Sequence, residues 1–385
     1  MNSERILTVV IALLLMFVSC ARTSVPEPSP GKVTGVVFND ANRNGTFDKV
    51  RDKPLKGVAV SNGREVAITN RRGIYELPLL ENSAVFVIKP RDYSFPLDDR
   101  NTPIFYRMNM PFGASGTRYS GLDSTEPLAS PVNFPLYRSR EPNNIDVLVF
   151  GDTQPRNDRE IHYIQQDMVA ELIGTTATFG VVLGDIVYDN LNLYEHMTGT
   201  IAAIDIPWIY VPGNHDHDYT GDNNTDALGS WYRNFGPDYY SFTCGPAHFI
   251  VLNTIRWIVD EAGRRYRTGL GSNQLEFVRN EVARIPDDQL LVLLTHIPYA
   301  GSTGWADPAE REEFYRILAD HPRSATLAAH THRHYHHLLD EDEGFPGDIP
   351  PHMVSIGAIC GSWWSGAPDE FGIPHSTMAD GTPTC

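Results

Sequence analysis

Two rhythms of apolar and polar residues divide this chain. Up to residue 137 the apolar positions come in short runs: Val36-Val37-Phe38, Val58-Ala59-Val60, Val66-Ala67-Ile68, Ile74-Tyr75 and Ala84-Val85-Phe86-Val87-Ile88. Asn62-Gly63, Arg72-Gly73 and Pro90 punctuate them. Runs of β-branched and aromatic residues bounded by turn formers predict short antiparallel strands. Several in series predict a small all-β sandwich domain over residues 31–137. Residues 90–137 are rich in Pro, Tyr and Phe without clear periodicity and are expected as loops closing it. The polar stretch 138–144 is the expected linker.

From Ile145 the rhythm changes. Apolar runs of strand length at 146–150, 180–183, 206–211, 239–243, 248–253, 289–294 and 325–329 are interleaved with helical patterns. The helices are expected near 160–173, 194–204, 273–284 and 308–320. Helices alternating with buried strands predict a layered α/β core. The expected fold class is therefore α/β, preceded by the all-β sandwich. A length of 385 residues agrees with two domains, and 41% hydrophobic residues supply ample core.

The first residues follow a different logic. Arg5 precedes an apolar run over 6–18, too short to span a bilayer comfortably and well sized for a signal peptide. It ends in Phe17-Val18-Ser19-Cys20, which resembles a bacterial lipobox. Residues 1–20 are thus expected to be a leader, with Cys20 as the lipidation site. Residues 21–30, with Pro26, Pro28 and Pro30, are the expected tether. The protein is expected to be exported to the bacterial periplasm or cell envelope and held to the membrane by that anchor; plain secretion is the alternative. Cys244, Cys360 and Cys385 are odd in number and have no metal-site spacing.

The net charge of −17 excludes a general nucleic-acid binder, which needs a basic face. Phosphate can still be held where metal ions supply local positive charge. Two sets of residues offer metal chemistry. In the first, Asp40, Asn42, Asn44 and Asp48 alternate around Gly45, as the wrapping of a calcium ion requires. Arg51 stands at the twelfth position in place of a bidentate Glu. This loop resembles the calcium loops of B-type repeats in bacterial surface adhesins; a metal-free Asx turn is the alternative. The 57–60 and 72–75 segments also resemble carboxypeptidase-regulatory-like modules.

The second set follows the strands of the α/β region. Asp152, Asp185, Asn214 with His215, His296, and the pair His330 and His332 each stand just beyond an apolar run. Carboxylate, amide and imidazole donors suit Mn, Fe, Co or Zn. In α/β sheets, ligands bind beyond the carboxyl ends of strands. Gly184-Asp185, Gly213-Asn214-His215-Asp216 and His330-Thr331-His332, in that order over residues 145–360, resemble the calcineurin-like metallophosphoesterase superfamily.

That resemblance implies a two-sheet α/β sandwich carrying a dinuclear metal centre. Asp152, Gln154 and His332 would hold one ion, and Asn214, His296 and His330 the other, with Asp185 shared between them. His215 would stay off the metals, oriented by Asp216, and would stabilise or protonate the leaving oxygen. A metal-activated hydroxide would then hydrolyse a phosphomonoester or phosphodiester.

Three positions depart from the family pattern. Gln154 stands where His is usual and is a poorer donor. Tyr188 occupies the expected Asp position, with Asp189 one residue late. Gly184 to Tyr188 also resembles the iron-binding motif of purple acid phosphatases, which makes such an Fe enzyme one alternative. Ala329 replaces a Gly, a small change. The other alternative is a surface binding protein whose phosphoesterase domain is inactive, supported by Gln154. Residues 361–385 resemble the start of a C-terminal region found in exported bacterial members. There Trp363 and Trp364 offer a stacking surface.

Overall fold

In the strand Lys32–Asn39, Val33 and Val37 are fully buried. It is central to a five-stranded sheet, pairing with Lys53–Pro54 and Ile74–Pro78 antiparallel and with Phe134–Arg138 parallel. Tyr93–Ser94 extends the sheet through Phe134–Arg138. Val66–Ile68, Ala59–Ser61, Ser83–Ile88 and Tyr106–Asn109 form a second, four-stranded antiparallel sheet in that order. The computed structural model describes residues 31–114, 117–128, 131–300 and 304–379. The expected leader, Cys20 and the tether lie outside the described residues. Among the described residues no helix is long and apolar enough to cross a membrane.

The expected calcium loop folds as nested Asx turns. Asp40 accepts hydrogen bonds from the backbone N–H groups of Asn44 and Gly45. Asn42 accepts from Asn44 N, Asn44 from Thr46 N, and Asp48 from Val50 N. The side-chain oxygens that would face an ion thus also accept from the loop's own backbone donors.

Residues 145–355 build two larger sheets and one hairpin, Ile255–Asp260 with Gly263–Thr268. Val147–Phe150, Phe179–Val182 and Trp208–Tyr210 are parallel and adjacent in that order. The second has six strands in the order Tyr240–Cys244, Ala247–Val251, Leu290–Leu294, Ser324–Ala328, His352–Ser355 and Tyr335–Leu338. The side-chain period of two divides the three-stranded sheet between two cores. Val181, Ile209 and Val211 join Phe249, Ile250 and Leu293 in one. Phe150, Val182, Trp208 and Tyr210 join Ile161, Met197 and Ile201 of the helices Asp158–Ile164 and Tyr194–Ala202 in the other.

The helices Ser272–Val282 and Pro308–Ala319 supply Phe277, Val278, Phe314 and Leu318 to the first core. The latter helix begins where expected because Asp307 caps it and Pro308 occupies its first turn. The α/β class is therefore the observed one, with two sheets as the resemblance implies.

The sandwich and the α/β region share their first core. Val60, Phe86 and Phe134 belong to it together with Phe249 and Phe277, and the Phe86 and Phe277 rings meet edge to face at 5.6 Å. Residues 138–144, expected as a linker, are tied down by Glu141, whose side chain is 9% exposed. Its carboxylate takes Lys89 Nζ at 2.5 Å and the backbone N–H groups of Asp92 and Gly245. Residues from Gly31 onward accordingly form one compact unit.

Candidate metal centre

Asp152, Asp185, Asn214, His296 and His330 each follow the carboxyl end of a strand, where the backbone leaves the sheet. The turns there are strained. Asp152 (φ 29°), Gln154 (42°), Asp185 (50°), His330 (69°) and His332 (53°) all lie in the left-handed region. Non-glycine residues held so cost roughly 1–3 kcal/mol each and persist where the surroundings over-determine them, most often at functional sites. Two glycines make the close approach feasible. A Cβ on Gly184 would lie 2.7 Å from the His296 ring, and one on Gly213 would lie 2.3 Å from Asp185 Oδ1.

Asp185 is the hub. Its Oδ2 accepts from Gln154 Nε2 at 2.9 Å and stands 3.2 Å from His296 Nε2. Its Oδ1 accepts the His215 backbone N–H at 2.8 Å. His296 Nδ1 donates to Leu183 O at 2.8 Å, which aims Nε2 inward. There it meets Asn214 Oδ1 at 3.1 Å and His330 Nδ1 at 3.2 Å. On the other side of Asp185, His332 Nδ1 donates to Gly361 O at 2.5 Å and turns its Nε2 to within 3.6 Å of Asp152 Oδ1. Such outer bonds fix ring orientation and leave the other nitrogen for a ligand.

The electrostatics describe a cluster that calls for a cation. Burial works against ionisation of Asp185, yet His296 beside it holds the carboxyl well below its usual range. Burial likewise disfavours a charged His296, but Asp185 outweighs it and raises the ring to about 9. Burial pushes Asp152 up to about 6. Burial and the His296 charge lower His330 to about 4, leaving it a neutral donor. Asp152 Oδ1 is buried without a hydrogen-bond partner. Among the described residues, Asp185, His296 and His330 are the set of three whose ligand atoms all lie within 4.8 Å of one another. Carboxylate, imidazole and amide donors, an orphaned carboxylate oxygen and facing ring nitrogens all fit divalent metal.

The partner of His215 is not the expected one. Asp216 is fully buried and turns its carboxylate to Gly213 N, Ile186 N and the Tyr194 hydroxyl. Its bonds join the loops that carry Asp185 and Asn214, so it is a positioning residue. His215 Nδ1 meets Asp189 Oδ1 at 2.7 Å instead. Burial would lower the His215 pKa, but this bond with Asp189 raises it. The one-residue delay of Asp189 in the sequence is absorbed by its left-handed backbone (φ 53°). Tyr188, weighed above as an iron ligand, has its ring stacked on His215 at 4.5 Å.

Some contributors were not singled out from sequence. Tyr219 stands beside the imidazole, its ring 6.4 Å from that of His215. Cys360 is fully buried with Sγ 3.5 Å from Gln154 Oε1. Neither lies in a motif that spacing could expose. His217 is also buried, donates from Nδ1 to Gly213 O and stacks with Trp257.

Three models of calcineurin-like phosphoesterase match the chain: its N-terminal part over residues 41–119, its core over 145–334 and its C-terminal part over 354–384. The chain belongs to this superfamily and is a metallophosphoesterase, a metal-dependent hydrolase of phosphoric esters. Similar solved structures include a dimetal phosphatase from Danio rerio, at 13% identity and TM-score 0.40, covering 55% of this chain and 87% of that one. A phosphopantetheinyl hydrolase from Mycobacterium tuberculosis has 11% identity and TM-score 0.34, with coverages of 55% and 89%. The protein TT1561 of Thermus thermophilus has 14% identity and TM-score 0.31, with coverages of 56% and 90%. At such values these likenesses carry no functional argument. No curated protein matches the chain.

Proposed function

We propose that the centre binds two divalent ions, from Mn, Fe or Zn, and hydrolyses a phosphomonoester or phosphodiester. Asp152, Gln154 and His332 would hold one ion and Asn214, His296 and His330 the other. The observation that carries this reading is the position of Asp185, whose Oδ2 touches both Gln154 and His296. One carboxylate between two donor sets is what a shared ligand requires. Metal ions bound there would lower the pKa of water and polarise the phosphoryl oxygens.

The chain's own residues do the rest. Leu183 O and Gly361 O fix the tautomers of His296 and His332. Asp216 ties the Asp185 and Asn214 loops together. His215, partly exposed and paired with Asp189, keeps a proton available at Nε2 for the oxygen that leaves phosphorus. Export and lipidation at Cys20 belong to the same proposal. They are supported by the apolar run over 6–18, and Cys20→Ser with acyl labelling tests them.

The test uses protein lacking residues 1–20, stripped of metal and reloaded separately with Mn, Fe or Zn. Turnover of p-nitrophenyl phosphate and bis-p-nitrophenyl phosphate should depend on metal. It should fall about a hundredfold or more in His215→Ala and be lost in Asn214→Ala. Activity indifferent to chelators and to both substitutions would sink the proposal.

A further inference from the structure

Resting on that function, we infer that Trp363, together with Tyr188, is the platform for the alcohol side of the substrate. The preferred substrates are then phosphoesters whose alcohol carries a flat aromatic ring.

Trp363 and Trp364 are adjacent but serve opposite sides of the chain. Trp364 packs against Tyr163 at 5.8 Å, beside the core formed with the outer helices. Trp363 turns to the metal centre, with its ring 5.4 Å from His332 and its Nε1 donating to Gln154 O at 3.4 Å. Its backbone is left-handed (φ 57°), an outlier for so bulky a residue. Strain of this kind survives where the placement of the side chain matters.

The ring is part-exposed and meets Tyr188 at 5.5 Å and 83°. Tyr188 in turn stacks on His215 at 4.5 Å and 28°. His215 is the group placed at the leaving oxygen, so whatever that oxygen carries emerges beside this right-angled aromatic corner. Arg156 lies 5.6 Å over the Trp363 ring, but its charge is already engaged by Glu160 through Nε and Nη2. The corner therefore offers π surface more than a free cation, which favours a ring over a charged extension.

A purely bracing role does not require the indole. The segment is already fastened to the metal loops through its backbone: Ile359 N to Gly151 O, Cys360 N to Asp152 O and Ala379 N to His332 O, at 2.9, 3.1 and 2.8 Å.

The experiment compares two esters of similar leaving-group basicity, 2-phenylethyl phosphate and propyl phosphate, each also as its methyl diester. They are assayed on the metal-loaded enzyme and on Trp363→Leu and Trp363→Phe. The wild type should prefer the ring-bearing ester about tenfold in kcat/KM, the scale of one stacking contact. Trp363→Leu should remove most of that preference, chiefly through KM, and Trp363→Phe should retain most of it. Dividing variant by wild type for each ester cancels intrinsic reactivity. Binding of 2-phenylethyl phosphonate against ethyl phosphonate, followed by calorimetry, reads the same difference without turnover. Equal losses for both esters and both phosphonates in Trp363→Leu, or no ring preference in the wild type, would overturn the inference and leave the phosphoesterase intact. Failure of the phosphoesterase proposal looks different: no metal-dependent turnover of any ester, p-nitrophenyl esters included, and no metal-dependent phosphonate binding.

Discussion

His215 Nδ1 lies 2.7 Å from Asp189 Oδ1, whereas Asp216, its neighbour in the chain, spends its carboxylate on Gly213, Ile186 and Tyr194. Two acidic residues that sequence spacing makes equally attractive thus have separate roles, one facing the imidazole and the other holding the loops.

The first role predicts a pH effect. Asp189 raises the His215 pKa, and a ring that gives a proton is active while protonated, so activity is lost as pH rises through that pKa. Asp189→Asn keeps the shape but removes the charge. The alkaline limb of kcat should move to lower pH, and kcat should fall about ten- to a hundredfold, as for outer partners of other sites. A loss of kcat with an unmoved limb would mean that Asp189 only packs.

The second role predicts a stability effect. Removing the Asp216 carboxylate leaves two buried backbone N–H groups and a Tyr194 hydroxyl without their acceptor. Asp216→Ala should cost about 3 kcal/mol in denaturant unfolding. Metal affinity should weaken with it, because the Asp185 and Asn214 loops lose their tie. The alkaline limb should stay where it is. An unchanged unfolding midpoint would contradict the assignment.

Why the sequence pointed to the candidate ligands but not to these partners is a matter of distance along the chain. Asp152, Asp185, Asn214, His296 and His330 stand beyond strands whose apolar runs are plain, and parallel strands carry their carboxyl ends to one edge. Asp189 was visible as a late acid, but its pairing depends on a left-handed turn that spacing does not encode. Glu141 read as part of a polar linker, because nothing local shows that it buries a bond with Lys89 and closes the sandwich onto the α/β core. The Asx-turn bonding of Asp40, Asn42 and Asn44 was likewise hidden, since a calcium loop and an Asx turn use the same residues.

Metal binding should release protons. His296 is raised to about 9 by Asp185 in the metal-free protein, so near neutral pH the ring carries a proton that a metal must displace. Affinity should therefore rise with pH up to about 9 and level off above it. Calorimetric titration of Mn or Zn into the stripped protein, in buffers of different ionisation enthalpy, counts the protons released at pH 7. If the centre holds two ions as proposed, His332→Ala should bind one fewer than the wild type, as read by elemental analysis. A heat independent of buffer would show that His296 is already neutral and that the charge assigned to this cluster is wrong.

The last expectation concerns acid stability away from the centre. Glu281, fully buried, accepts from the Ser241 hydroxyl at 2.5 Å, from His248 Nε2 at 3.0 Å and from Arg284 Nε at 2.5 Å. Burial would raise the carboxyl, but Arg284 and His248 hold it down at about 2. Burial also lowers the His248 pKa, so that ring is neutral in the fold. Both groups have depressed folded-state values. Their contribution is complete above the unfolded values, near 6.5 for His248 and 4.5 for Glu281. It is lost as pH falls, the Glu281 part between about 4.5 and about 2. Glu281→Gln leaves the Arg284 charge without its partner and should cost about 3–5 kcal/mol near neutrality. The cost should shrink toward pH 2, because the wild type loses the same charge there. Urea midpoints measured for both proteins from pH 7 to pH 3 test this directly, and two parallel curves would show that Glu281 is not ionised in the folded protein.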